Sequence, residues 1–306
     1  MPKATQPRQM KPLREFNYQL VEERMDGLLT NVDRDLQRRL KQATMAGAHD
    51  AERCLTLMVI FVRFARNSYD AVRYMTGKTP LDERRRANYV LVVPAINRQL
   101  LDLLFSLVYM LDDLSVRSLQ YQQAGWRELN QERQMFKTHF SKDPAWNRHF
   151  ANVKKVLDDM VVRFRIAEVQ RKNPRSVPFW KQPFELKDEK TQSRPFLRYL
   201  EKWLYTDTSA QAHLTFGGLF IIGQFLVADL VGGEDEELVK TRMIQQFHFR
   251  HFSRTAIAAL AIATEIDAYY NLENAKAAEY LWNIFAEYVF EAKEMLQQRY
   301  AKLIEN

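Results

Sequence analysis

The stretch LLDLLFSLVYML, residues 100–111, decides the fold. It is apolar on nearly every side, so it belongs to a helix set among other helices rather than to one lying half-exposed on a surface. Its polar exceptions, with Arg98 just ahead of it, are Asp102, Ser106 and Tyr109, at steps of four, four and three. Those steps put all four side chains on one helical face. A polar face on a central helix needs partners, because an unpaired buried group costs about 1–3 kcal/mol and a lone buried charge more. The segment therefore predicts an all-α fold and, within it, a place where polar groups gather.

Working outward, the same periodicity predicts a single multi-helix bundle of about nine helices. They cover 15–46, 50–76, 79–113, 116–140, 143–173, 196–205, 208–230, 234–270 and 273–304. Thr79-Pro80 supplies a capping hydroxyl and a first-turn proline for the third helix, with a kink expected at Pro94. Gly232-Gly233 ends one helix and the acids that follow open the next. In the last helix Leu281, Phe285, Tyr288, Ala292 and Met295 alternate steps of four and three, one apolar stripe. Residues 172–195 carry four prolines and no helical period, an internal Pro-rich loop that Phe179, Trp180 and Phe184 pin to the body. Residues 1–14, basic and Pro-rich, read as a disordered tail, and 15–306 as one helical-bundle domain.

Only 9 Gly and 10 Pro in 306 residues argue against a turn-rich β fold. Cys54, the single cysteine, lies in an apolar run, as a small core residue of a chain kept in a reducing, cytoplasmic compartment. The longest uncharged run, 214–228, is shorter than the roughly 20 residues that span a bilayer, so no membrane partner is expected. A formal net charge of +7 permits RNA or another anionic partner without requiring one.

A second polar pattern lies on the helix after the Pro-rich loop. Ser209 and His213 are four apart, and Gly217 and Gln224 continue the face. Bringing the two faces together sets Arg98, Asp102 and His213 close in space. Arg254 and Glu265, eleven apart in another apolar helix, share a face and are candidates to join, as binding residues with Ser209 and Tyr109. Two readings stand side by side: a satisfied core network, or a site in which Arg98 holds an anion, Asp102 orients it and His213 moves protons. The site reading needs no metal or cofactor.

These residues also carry a resemblance. Arg98-Gln-Leu-Leu-Asp102 with Tyr109 resembles the arginine–x–x–x–glutamate helix of a widespread uncharacterised bacterial family, with aspartate in place of its usual glutamate. The stretch LYTDTSAQAH, residues 204–213, resembles that family's second signature, a tyrosine, then a serine with a histidine four on. The likeness covers about residues 90–225. It implies an all-helical fold and, by distant similarity to the HEPN class, RNA cleavage or RNA binding in toxin and phage-defence systems. The usual HEPN signature, Arg followed by His four to six residues later, is matched by Arg133–His139 and Arg242–His248, at a frequency that chance alone supplies.

The expectation is thus a helical protein of a bacterial toxin or phage-defence type, acting through RNA or protein contacts, ribonuclease-like if it is an enzyme at all. The alternative is a non-catalytic interaction module, with a protein partner or a second copy of itself, whose polar core is structural. A third reading, an isoprenoid-synthase-like Mg-diphosphate enzyme, draws on Asp112-Asp113, on Asp229, Gly233 and Glu237, and on Arg299-Tyr300. His248 and His251 are three apart, but with no third ligand nearby they read as core or surface histidines. Arg84-Arg85-Arg86 and the cations of 163–175 read as solvated faces, with Phe164, Phe179 and Trp180 available to stack bases if exposed.

Overall fold

The computed structural model describes residues 10–76, 92–181, 193–212 and 234–305; of 194, 203, 207, 234–244 and 305 it describes the backbone alone. Among the described residues the fold is all-α without a strand, in eleven helices rather than nine. Helix α1 (Tyr18–Met45) starts where the Asn17 side chain accepts from the Leu20 amide, and it buries Val21, Met25, Leu28, Leu29, Val32 and Leu36 along one stripe. Gly47, at φ +65, makes the tight reversal into α2 (His49–Thr76), which packs back along α1. Cys54 is a free, buried thiol of α2, as its apolar run predicts.

The centre is shared by α3 (Val93–Leu111) and α8 (Glu234–Tyr270). Every residue from 256 to 263 of α8 is sealed from solvent, and five of those eight are alanine, so α2 and α3 approach its backbone closely. No helix is long and apolar enough to cross a membrane among the described residues.

Three expected helices run differently, each for a local reason. Within the span of the third a helix starts at Val93, and Pro94 occupies its first turn, where a missing N–H costs nothing; the proline opens this helix instead of kinking it. The Thr79-Pro80 start lies outside the described residues. The fourth is present as α4 (Leu114–Phe140), whereas the fifth stops at Arg163, giving α5 (Pro144–Arg163) and a short α6 (Glu168–Lys172). Arg165 at φ +53 is the cause: the Ile166 amide donates back to Val161 O and the Arg165 amide to Val162 O, the pattern that ends helices with a left-handed residue. The last breaks at Val289, which is extended, giving α9 (Ala275–Tyr288) and α10 (Phe290–Met295) before a π-helical turn over Leu296–Tyr300 and α11 (Ala301–Glu305). Four residues of its expected stripe, Leu281, Phe285, Ala292 and Met295, are nonetheless buried.

Between them, α7 consists of Arg194–Leu200 and Thr206–Ala212 joined by a second π turn, Glu201–Tyr205, and packs on α3. The α4–α5–α6 region stands apart with its own small core of Trp126, Leu157, Phe164, Ile166 and Val177. From the N-terminal segment, Lys11 reaches α9 by donating its backbone N–H to Glu287 O and by an ion pair with the Glu287 carboxylate, so ordered chain begins ahead of residue 15.

Candidate functional site

The polar face of α3 is met by two aromatic residues from different segments. At its start the Arg98 Nε donates to Asp102 Oδ2 at 3.2 Å, one turn on. The Arg98 guanidinium lies 3.6 Å from the centre of the Tyr205 ring, and Tyr205 in turn packs edge-on against Phe105. Tyr205 closes the π turn of α7, in which the Thr206 amide reaches back to Glu201 O; such insertions re-aim a side chain that a regular helix would place elsewhere. One edge of the guanidinium is thus fixed by a carboxylate and one face by a ring. Its Nη1 is screened from water and has no hydrogen-bond partner among the described residues.

Farther along α3 the Pro-rich loop covers the face. Trp180 Nε1 donates to Ser106 Oγ at 3.0 Å, and its ring sits edge-on to Tyr109 and to Tyr121. Arg117 of α4 lies over the Tyr109 ring, 3.9 Å from its centre, and donates to the Tyr109 carbonyl. Trp180 is therefore a packing residue and offers no base-stacking platform. Phe164 is buried too, and Phe179, half exposed, lies under Arg127. Phe184 lies outside the described residues.

Ser209 sits half-buried in the segment of α7 that packs on α3. His213, with Gly217 and Gln224, lies outside the described residues, as do Arg84-Arg85-Arg86. Arg98, Asp102 and Tyr109 do share one face, with the Ser209 segment packed on the same helix.

Arg254 and Glu265 do not meet each other. Eleven residues return a helix to the same side but carry it about 16 Å along its axis, beyond the reach of both side chains. Arg254 faces Glu291 at 3.8 Å. Glu265, only 2% exposed, is gripped by Arg299 through Nε at 2.5 Å and Nη2 at 2.8 Å. From there a chain of contacts crosses the molecule: Arg299 Nη1 donates to Ser193 Oγ, Ser193 to Asp112 Oδ1, and Arg117 Nη1 to Asp112 Oδ2. Two cations and two carboxylates alternate along it. Burial alone would lower the Arg299 pKa, but the bond to Glu265 and its charge outweigh burial and raise it. Burial, with the Glu265 charge alongside, pushes Tyr300 well above the ordinary phenol range.

The chain matches no protein-family model, no curated protein and no solved structure. What the sites can do rests on their own chemistry. The isoprenoid reading finds Asp112 and Arg299 bridged by Ser193, yet both are engaged by protein partners rather than turned toward a ligand. Asp229 and Gly233 lie outside the described residues. Among those described, no group of three or more His, Cys, Asp or Glu residues has a metal-binding arrangement. His251 is buried against Phe247, and His248 is half exposed.

Sequence reasoning missed the Glu265–Arg299 clamp, although a signal was present. Arg299 stands four residues beyond Met295, at the next step of the apolar stripe, and Glu265 is the lone acid in the apolar run TAIAALAIATEI. A lone charge on an apolar stripe requires an opposite partner, and here two such charges required each other. Arg53 was missed as well. Buried near the start of α2, it donates to Ser118 Oγ, Gln122 Oε1 and Ser115 O of α4 and so ties the two helices.

Proposed function

We propose that this chain is a helical protein of a bacterial toxin or phage-defence type that contacts RNA, and that Arg98 holds a phosphate at its site. The observation that carries the reading is the state of the Arg98 guanidinium. It is aligned by Asp102 and stacked on Tyr205, is 20% exposed, and keeps donor capacity that no described group uses. A planar cation fixed on two sides with an unused N–H edge suits an anion of phosphate shape. The net charge of +7 would draw such a ligand in.

In the cleaving form of this proposal, His213 takes the proton from a ribose 2′-hydroxyl as that oxygen bonds to phosphorus. The bond from phosphorus to the 5′-oxygen breaks, and the departing oxygen regains a proton from the imidazolium. Arg98 would hold the phosphate oxygens as charge builds on them, and Asp102 would keep Arg98 in place. The resemblance to the bacterial family at residues 90–225 supports the same choice.

The test pairs thermal melts with RNA cleavage or cell toxicity on the same purified variants. His213→Ala and Arg98→Ala should melt near the parent temperature and lose activity. A His213→Ala protein with normal melting and full activity removes the cleavage assignment; Arg98→Ala with the same behaviour removes the phosphate site.

A second reading, a non-catalytic interaction module, is favoured by one observation: Trp180 bonds Ser106 and packs on Tyr109, so the later half of the polar face is engaged by the protein itself. Under it, the variants that abolish activity would also lower the melting temperature.

A further inference from the structure

The α4–α5 hairpin differs from the body in charge as well as in packing. Residues 127–175 hold twelve Lys and Arg against six Asp and Glu, an excess of six out of the chain's formal seven. Nearer its base, cations have partners: Lys154 and Arg171 pair with Asp158, Lys172 with Glu168, and Arg165 with Asp50. At the tip, Lys137, Lys142 and Arg148 are exposed and have no carboxylate partner among the described residues. Lys155 and Arg163 continue the line of Arg148 along one face of α5, which Asp159 interrupts once. The tip acid Asp143 is spent on the helix start, accepting from the Ala145 amide.

Aromatic rings stand among these cations. Phe140 and Trp146 stack nearly parallel, 4.5 Å apart at 7°, with Phe136 and Phe150 against Trp146. His139 and His149 flank the stack. Phe150 is buried, but Phe140 at the outer end is 38% exposed. An exposed ring supported from behind and surrounded by unpaired cations suits a strand of nucleic acid, with a base on the ring and phosphates on the cations. An anionic membrane fits less well. A membrane-bound helix needs bulky apolar residues along one face, whereas the outer face of α5 carries Arg148, Asn152, Lys155 and Asp159.

We infer that the tip of the α4–α5 hairpin binds single-stranded nucleic acid, through Lys137, Lys142 and Arg148 to phosphates and through Phe140 to a base. The ligand class rests on the RNA reading above, but the contacts are indifferent to the 2′-hydroxyl. A deoxythymidine oligonucleotide of about 15 nucleotides therefore tests the tip apart from any cleavage. In fluorescence anisotropy the full chain should bind it with a salt-dependent affinity. Replacing Lys137, Lys142 and Arg148 together by Gln should reduce the slope of log K against log salt by about 2. Phe140→Ala should weaken binding by about 5- to 150-fold. The triple variant touches no buried group, so it keeps the test valid if Phe140→Ala unsettles the tip. Absence of oligonucleotide binding at low salt, an unchanged slope, or binding to anionic vesicles alone would overturn the inference. None of these outcomes decides the Arg98 reading, which RNA cleavage judges separately.

Discussion

Two arginine–carboxylate pairs lie within this bundle and are built differently. Arg299 and Glu265 meet through two nitrogens and two oxygens, with the carboxylate sealed and the far side of the guanidinium bonded to Ser193. Arg98 and Asp102 share one contact, are 20% and 32% exposed, and have an aromatic ring rather than a hydroxyl across the guanidinium. The first pair closes a circuit between α8, the C-terminal π turn and α4. The second leaves a cation aligned but incompletely used. Completeness of partnering, more than the residue types, separates a scaffold from a candidate site.

The sharpest break of this comparison comes from the sealed pair. Arg299→Ala strands Glu265 in the interior and should destabilise by about 3–5 kcal/mol in urea unfolding. A loss below 1 kcal/mol would mean that water reaches Glu265 and that the two pairs are not distinct. Next comes the cover. Trp180→Ala removes a half-buried ring and the bond to Ser106 and should cost about 2–3 kcal/mol, below the range for fully buried tryptophans. If that variant melts like the parent, the loop does not hold the polar face shut, and Ser106 and Tyr109 return as site candidates.

The open pair should respond weakly. Asp102→Ala takes one bond from a guanidinium that water can still reach and a ring still supports, so about 1 kcal/mol or less is expected. A cost of 3 kcal/mol or more would place Asp102 with Glu265 as scaffold. Under the phosphate reading, the same variant loses activity out of proportion to its stability.

What was legible in the sequence follows from the range of each interaction. The Arg98–Asp102 pair is internal to one helix, so spacing alone predicts it. The burial of Leu100, Leu101, Leu104, Phe105, Leu107, Val108 and Met110 follows from how narrow the polar face of their segment is. The division of the long helices was not legible, because Arg165 at φ +53 has no glycine to announce it and Val289 looks like any stripe residue. Tyr205 stands in the quoted signature, but its stacking on Arg98 depends on a π turn that a 3.6-residue period does not anticipate. Arg254 and Glu265 show a second limit: spacing puts them on one helical face, but their partners, Glu291 and Arg299, come from distant parts of the sequence that spacing does not reach.

A second buried carboxylate sharpens the comparison with the smallest effect. Among the described residues Asp267, near the end of α8, has no cation beside it; its Oδ1 accepts from the backbone amide and the side-chain amide of Asn274. Burial raises its pKa, the Asn274 bonds pull it back, and the Asp35 charge adds to the rise, leaving a net upward shift. An acid whose folded pKa is raised contributes most to stability below its unfolded value, about 3.9, and loses that contribution as pH climbs through the folded value. Other carboxylates act across the same range, so the informative quantity is the difference between variant and parent. Asp267→Asn keeps an oxygen for Asn274 and removes the titration. Its stability relative to the parent should therefore rise as pH climbs above about 4 and level off once the folded acid has ionised, as read from urea midpoints at several pH values. A difference that stays flat with pH would show that the two Asn274 bonds balance desolvation completely. A carboxylate could then lie buried in this fold with neutral partners alone, and Arg299 would no longer be needed to explain how Glu265 is held.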